Sequence, residues 1–280
     1  MDPRFRDILI TGDELVRSFP RWMLSDEARA RIRGAGRPAL VEIAGRDSVA
    51  AALRACAERG YDVLLPTIAF TGTEFGDRSI PFEKLELLPG LLTAAGVEAE
   101  VLPPVLVGAP RLWRFLCGRY VYEMYMRFGF YTPCPGCHLY LHAIRVPLAL
   151  ELGCRTVIAG ERESHDGRVK LNQIAEALDA YVEFAGRFGV ELHLPLRDVT
   201  SGREIEEIVG PGWREGEGQL ECVLSGNYGD AAGEVNYDGD AVGRFFKEFA
   251  VPAATQAVEA YVAGREPAYG EIVRGIWPKS

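Results

Sequence analysis

Residues 39–53, Ala-Leu-Val-Glu-Ile-Ala-Gly-Arg-Asp-Ser-Val-Ala-Ala-Ala-Leu, constrain the fold more than any other stretch of the chain. Ala39 to Ile43 reads as a short buried strand, Ala44 to Ser48 as a tight loop of small residues, and Val49 to Arg59 as a helix. A loop at this point delivers free backbone N–H groups and the positive end of a helix dipole to whatever lies beyond the strand, which suits an anion. Asp47 and Ser48 are capping residues, and Gly45 allows a bound group to approach the backbone closely. The plainer reading is a structural turn of the kind any parallel α/β protein contains.

Downstream, strands and helices alternate. Strands are expected at 63–67, 156–159 and 190–194, with a Val-Leu-Pro-Pro-Val segment at 101–105. Helices are expected at 82–95, 110–128, 139–152 and 171–187. Such alternation implies an α/β fold with a doubly wound parallel sheet covered on both faces. Residues 1–37 read as an N-terminal helical extension that ends at Gly34-Ala-Gly-Arg-Pro38, residues 38–228 as the α/β domain, and 229–280 as a C-terminal helical extension. Within the last of these, 241–265 is helical by pattern and the final fifteen residues read as irregular. The segment 210–218 is polar, glycine-rich and expected to be flexible.

Composition narrows the function classes. The 280 residues are 48% hydrophobic and 25% charged, an ordinary globular balance able to bury a large core. The sequence shows neither a long uncharged apolar run nor a charged-then-apolar leader, so a cytoplasmic location away from membranes is expected. A net charge of −9 argues against broad nucleic-acid binding while allowing a local basic patch. In that setting six cysteines read as thiols or metal ligands rather than disulfides. Cys56, Cys117 and Cys154 fall in apolar contexts and read as core thiols.

Pro133-Cys-Pro-Gly-Cys137-His138 is the sharpest local signal. A Cys-x-x-Cys turn brings two sulfurs close enough to share a metal or cluster. Its residues admit thioredoxin-like redox chemistry, c-type haem attachment, a zinc site completed by Cys222 and His138, or an iron–sulfur cluster. Glu161, Arg162, Glu163, His165, Asp166, Arg168 and Lys170 form a charged loop directly after the strand at 156–159, facing the same sheet end as the Ala44–Ser48 loop. There Arg162, Arg168 and Lys170 suit phosphate, and Glu163 and His165 suit proton transfer; a solvated surface loop is the plainer reading. Arg111, Arg114, Arg119 and Arg127 alternate with Trp113, Phe115, Tyr120, Tyr122 and Tyr125, which suits base stacking or, more simply, a helix burying its aromatic side.

Ile43-Ala-Gly-Arg-Asp-Ser48 resembles the pyrophosphatase loop, Ser-Gly-Gly-x-Asp-Ser, of the PP-loop (adenine nucleotide alpha-hydrolase-like) ATPases, with Ile43 and Ala44 replacing the leading Ser and Gly. The order of Cys134-x-x-Cys137, Leu148-Ala-Leu-Glu-Leu-Gly153, the strand to Ala159, Leu194-Pro-Leu-Arg-Asp-Val199 and Cys222 resembles the iron–sulfur-dependent 2-thiouridine tRNA sulfurtransferases of that superfamily over about 38–228. Their N-terminal zinc ribbon is absent, because no cysteine precedes Cys56. The resemblance implies a [4Fe-4S] cluster on Cys134, Cys137 and Cys222. It also implies ATP and Mg bound at the loop Ala44, Gly45, Arg46, Asp47 and Ser48, with Asp47 as a catalytic group; the residues after the strand add Gly160, Arg162 and Lys170 to that site, and Glu163 and His165 as catalytic groups. The expected chemistry is adenylation of a carbonyl oxygen followed by sulfide attack, with ATP-independent sulfur removal or a zinc-stabilised binding protein as alternatives. The expected partner is a small-molecule or nucleotide substrate rather than tRNA, with a homodimer as the assembly.

Overall fold

The computed structural model describes residues 1–11, 14–210, 213 and 219–278. Two helices, α1 (Pro3–Thr11) and α2 (Asp26–Gly34), precede the first strand, and Ser25 caps α2 by accepting from the Ala28 amide at 3.1 Å. Then follow β1 (Pro38–Glu42), α3 (Arg46–Arg59), β2 (Val63–Ala69), β3 (Glu74–Phe75), α4 (Ile80–Ala94), β4 (Glu100–Val101) and β5 (Val105–Val107). The middle of the chain is helical: α5 (Pro110–Cys117), α6 (Val121–Phe128), α7 (Cys134–Ala143) and α8 (Val146–Leu152). After it come β6 (Thr156–Ile158), α9 (Ala175–Gly186), β7 (Glu191–His193), α10 (Gly202–Val209), β8 (Glu221–Cys222), α11 (Gly239–Phe245), α12 (Val251–Val262) and α13 (Tyr269–Ile276).

The main sheet among the described residues runs β4-β2-β1-β6-β7, with β5 also pairing β2, and every pair is parallel. The expected α/β fold with a doubly wound parallel sheet is what forms. Pro66 sits inside β2 without a ladder donor, and it is tolerated because β2's outer neighbour is broken there. β4 pairs Val63–Leu64 and β5 pairs Thr67–Ala69, with Pro103–Pro104 between them. α3, α4 and α10 lie together on one face, and α2, α7, α8, α9 and α12 on the other. Between β1 and β6 the chain changes its direction of winding, so the loops after these strands flank a crevice.

Several elements differ from the sequence reading. The helix expected over 110–128 is two, because Gly118 and Arg119 break it before Tyr120. The Cys-x-x-Cys residues form the first turn of α7 rather than preceding a helix; Pro135 fits there because a first-turn N–H has no intrahelical acceptor. The final residues are not irregular: α13 buries Tyr269 and Ile272 on the core. Residues 229–280 also share that core, since Phe246 and Phe249 of the π turn Phe246–Ala250 pack among aromatics from Phe115 to Tyr181. Most of the glycine-rich segment 210–218 lies outside the described residues.

Candidate functional site

The loop after β1 is closed by its own serine. Ser48 Oγ accepts from the Ala44 and Gly45 amides at 3.0 and 3.1 Å and donates to the Gly45 carbonyl at 2.8 Å. Two amides that the sequence reading assigned to phosphate are thus already paired. Gly160, directly after β6, touches this loop: a Cβ on it would lie 2.6 Å from the Ser48 amide nitrogen and 2.8 Å from the Asp47 carbonyl oxygen. Gly160 therefore belongs to the site by letting two backbones meet.

Asp47 does not present a free carboxylate for Mg. Oδ1 accepts from Arg46 Nε and Oδ2 from Arg162 Nε, both at 3.0 Å, and the Arg46 and Arg162 side chains are buried. A buried guanidinium needs a paired anion, so Asp47 serves as a strut that ties α3 to the loop after β6. Arg162 lies behind the site instead of lining it.

A cavity of about 210 Å³ opens where these loops meet, and Glu42, Ala44, Gly45, Arg46, Asp47, Ser48, Gly160, Lys170 and Gln219 are in its wall together with His138, Glu161 and Gln173. Among the described lining residues, Glu163 and His165 are absent. Glu163 instead pairs with Arg197 at 2.6 Å, and His165 is buried, its carbonyl accepting from the Arg168 amide at 3.0 Å. Asp166, held at a positive φ of 54°, accepts from the Gly202 amide at 3.0 Å and caps α10. The cavity wall is formed instead by residues deeper in the crevice, His138, Glu161 and Gln173.

Those deeper residues form a buried ionic cluster that the sequence reading missed. His138 Nδ1 donates to Glu161 Oε1 at 2.7 Å, and Asn172 Nδ2 lies 2.8 Å from His138 Nε2. His142 Nε2 lies 3.4 Å from the same Glu161 oxygen, and Gln173 Nε2 donates to the other. Behind them, Glu42 Oε2 sits 3.8 Å from His142 and 3.7 Å from Arg145, whose Nε donates to Thr67 Oγ1 at 2.8 Å. Burial alone would push the Glu161 carboxyl up, but the two histidines hold it well below the usual carboxylate range. Burial likewise opposes a charged His138, yet the adjacent Glu161 carboxylate raises the imidazole overall. No motif announces this cluster. Its members come from β1, β2, α7, the junction between α7 and α8, and the segment after β6, and only the i, i+4 spacing of His138 and His142 is visible in the sequence.

The three cysteines expected to hold a cluster gather beside α7, all half-buried. Cys134 Sγ approaches the Leu224 carbonyl at 3.8 Å and Asn227 Oδ1 at 3.4 Å, while the Leu224 amide donates to Cys222 Sγ at 3.4 Å. Cys222 is delivered by the antiparallel β3–β8 pair, where it faces Glu74, and Thr73 Oγ1 is 3.3 Å from its sulfur. Trp113 Nε1 donates to Cys137 Sγ at 3.2 Å. The buried Cys117 thiol hydrogen-bonds Cys137 as well, which lowers Cys137 and, together with burial, raises Cys117. Gly136 permits this packing, since a Cβ there would lie 3.0 Å from the Leu116 carbonyl. Cys117 is a core thiol as expected, but one in contact with the cysteine site.

Half-buried thiols are the donor type that iron–sulfur clusters use. Among the described residues no three His, Cys, Asp or Glu side chains close around a point as a single metal ion requires. A cluster bonds each thiolate to a different iron and so spaces its sulfurs more widely. The zinc alternative loses a ligand, because both His138 ring nitrogens are engaged by Glu161 and Asn172. No helix among the described residues is long and apolar enough to cross a membrane.

No protein-family model matches the chain. The U34-tRNA thiolase NcsA from Methanococcus maripaludis, solved with its [4Fe-4S] cluster, is similar at 14% identity and a TM-score of 0.35, covering 93% of this chain and 77% of that one. That likeness is too distant to carry an argument. Sequence similarity is far stronger to the uncharacterized protein MJ0009 of Methanocaldococcus jannaschii, at 38% identity over 257 residues, 92% of this chain and 91% of the relative. The chain belongs to the same family as that archaeal protein.

Proposed function

We propose that this protein is an enzyme of sulfur chemistry in which Cys134, Cys137 and Cys222 hold a [4Fe-4S] cluster beside a small polar substrate cavity. One observation carries the reading: the first turn of α7 bears Cys134 and Cys137, and the next residue, His138, lines the cavity. Thiol site and cavity therefore share one rigid element. Bound by three thiolates, such a cluster supplies an iron open to sulfide or to a thiolated compound. Trp113 and Cys117 orient the Cys137 sulfur, while Glu161 fixes His138 with its Nδ1 proton toward the carboxylate. Lys170 and Arg46 both belong to the cavity wall.

Anaerobically purified protein is expected to be brown and to contain about four irons per chain, the composition of the cluster named. Replacing Cys134, Cys137 or Cys222 singly by Ser should strip most of the iron, whereas Cys56→Ala or Cys154→Ala should leave it. Stoichiometric zinc without iron would end the cluster reading.

ATP-independent chemistry is favoured over adenylation by the state of the loop. The Ala44 and Gly45 amides are spent on Ser48, and about 210 Å³ falls below the 300–1,000 Å³ typical of sites for larger ligands. A single phosphate or carboxylate suits this space better than a triphosphate chain. Calorimetry with ATP and with inorganic phosphate separates the readings: adenylation requires ATP to bind at least ten-fold more tightly.

A further inference from the structure

A second cavity, of about 470 Å³, lies on the far side of the short 3-10 turn Leu171–Gln173 from the first. Leu171 belongs to its wall, whereas Lys170 and Gln173 belong to the other cavity. Phe128, Phe130, Tyr131, Tyr228 and Tyr237 line it, and its size falls within the range of small-molecule sites.

Most of the polar groups around it are already committed. Tyr131 donates its hydroxyl to the Cys117 carbonyl, and Thr132 Oγ1 donates to Asn227 Oδ1 at 2.7 Å. Asp238 Oδ1 accepts from the Asp240 and Ala241 amides at 3.0 and 3.2 Å as the cap of α11. Beside Asn236 and the hydroxyls of Tyr228 and Tyr237, the wall presents the ring surfaces of Phe128, Phe130, Tyr131, Tyr228 and Tyr237, which favour flat partners through offset stacking and edge contacts.

The wall also reaches the thiol site. Thr132 lines the cavity, and the Asn227 oxygen that it contacts lies 3.4 Å from Cys134 Sγ.

We infer that this cavity binds a planar aromatic or heteroaromatic ring. As the substrate class of the sulfur chemistry proposed above, the inference rests on that reading; as a binding site, it stands on the cavity alone. The sequence reading treated aromatics only at 113–125, so nothing in it pointed to residues 128–131, 228 and 237.

The test is saturation-transfer NMR and calorimetry on the full anaerobic protein, with indole, quinoline and adenosine as planar probes and cyclohexanol as the non-planar control. Tyr237 is 45% exposed, so Tyr237→Ala removes one wall without opening the core. Ala241 is buried and lines the cavity, so Ala241→Phe fills it. At least one planar probe should bind in the millimolar range or tighter, about ten-fold more weakly in Tyr237→Ala, the loss expected for one stacking partner. Binding should vanish in Ala241→Phe, with the melting temperature of Tyr237→Ala unchanged as the check on folding. Failure of every planar probe, equal binding of cyclohexanol, or unchanged affinity in Tyr237→Ala would each overturn the inference. An iron-free protein that still binds the probes would refute the cluster proposal and leave this site standing.

Discussion

Gly160 has no room for a side chain, and that single fact holds the crevice together. A methyl group there would sit 2.6 Å from the Ser48 nitrogen and 2.7 Å from the Asp47 carbonyl carbon, both backbone atoms that cannot swing aside. Gly160→Ala should therefore cost about 3 kcal/mol, at the upper end of overpacking penalties. Chemical denaturation measures that cost, and a loss below about 1 kcal/mol would show that the two loops part easily. His193 gives a residue-scale test of pH. Burial first, and then the nearby Arg59 charge, lowers its imidazole, and its Nδ1 lies 3.3 Å from the Tyr61 hydroxyl. Because the folded protein resists protonating it, the stability it contributes is complete above about pH 6.5, the unfolded value, and is lost as pH falls below that. His138, raised by Glu161, works in the opposite direction, so the His193 contribution is read as a difference: on acidification from pH 7.5 to 5.5 the melting temperature of His193→Gln should lose less, or gain more, than that of the unaltered protein. Identical slopes would remove His193 from the account.

At the scale of elements, capping and close approach decide where the helices begin. Ser201 and Glu204 form a capping box on α10, and Asp166 reaches across to the same terminus by accepting from Gly202 N. Asp166→Ala should cost about 1 kcal/mol, the usual worth of such a cap. Asp166→Asn should cost less, since Asn keeps an acceptor oxygen and tolerates positive φ. Urea titrations of both variants check this, and equal losses would mean that the carboxylate charge, which both variants remove, matters rather than the acceptor oxygen or the backbone conformation. The alternation of strands and helices was legible because a parallel sheet demands apolar strands linked by amphipathic crossovers. The break between α5 and α6 was not, because the intervening Gly118-Arg-Tyr120 carries no proline and the periodicity continues across it.

For the whole molecule, charge is the guide to partners. The chain carries a net charge of −9, and on the Arg111–Arg127 face part of the positive charge is neutralised. Arg111 pairs with Glu266 at 3.0 Å and lies 3.8 Å from Glu14, and Arg127 pairs with Glu123 at 3.4 Å. Phe115 is buried and Tyr120 packs edge-on against it, whereas Tyr122 and Tyr125 are exposed. Phosphate neutralisation dominates RNA affinity, so weak tRNA binding with at most a shallow salt dependence is expected. Filter binding from 50 to 200 mM salt measures it. Micromolar affinity lost in the Arg111→Ala/Arg114→Ala double variant would make RNA the substrate.

Local pattern by itself determined the sheet class, the strand-loop-helix at 39–59 and the Cys134–Cys137 pair, because period and turn chemistry are written in neighbouring residues; Cys222 joined that pair through the family resemblance. The roles of the polar residues were decided only by the tertiary structure. Asp47 looked like a phosphate and metal ligand until Arg46 and Arg162 closed on its two oxygens. Glu163 and His165 looked catalytic because they follow a core strand, yet the chain turns Glu163 toward Arg197, while Glu161, two residues earlier, faces the cavity. Glu42, His142 and Arg145 read as strand and helix residues of no special note, and became an ionic cluster only when β1 met α7 and the start of α8. Spacing along a chain fixes which face a side chain takes on its own element. Which charge it meets there depends on how distant elements pack, and that is set by the burial of the apolar faces around them.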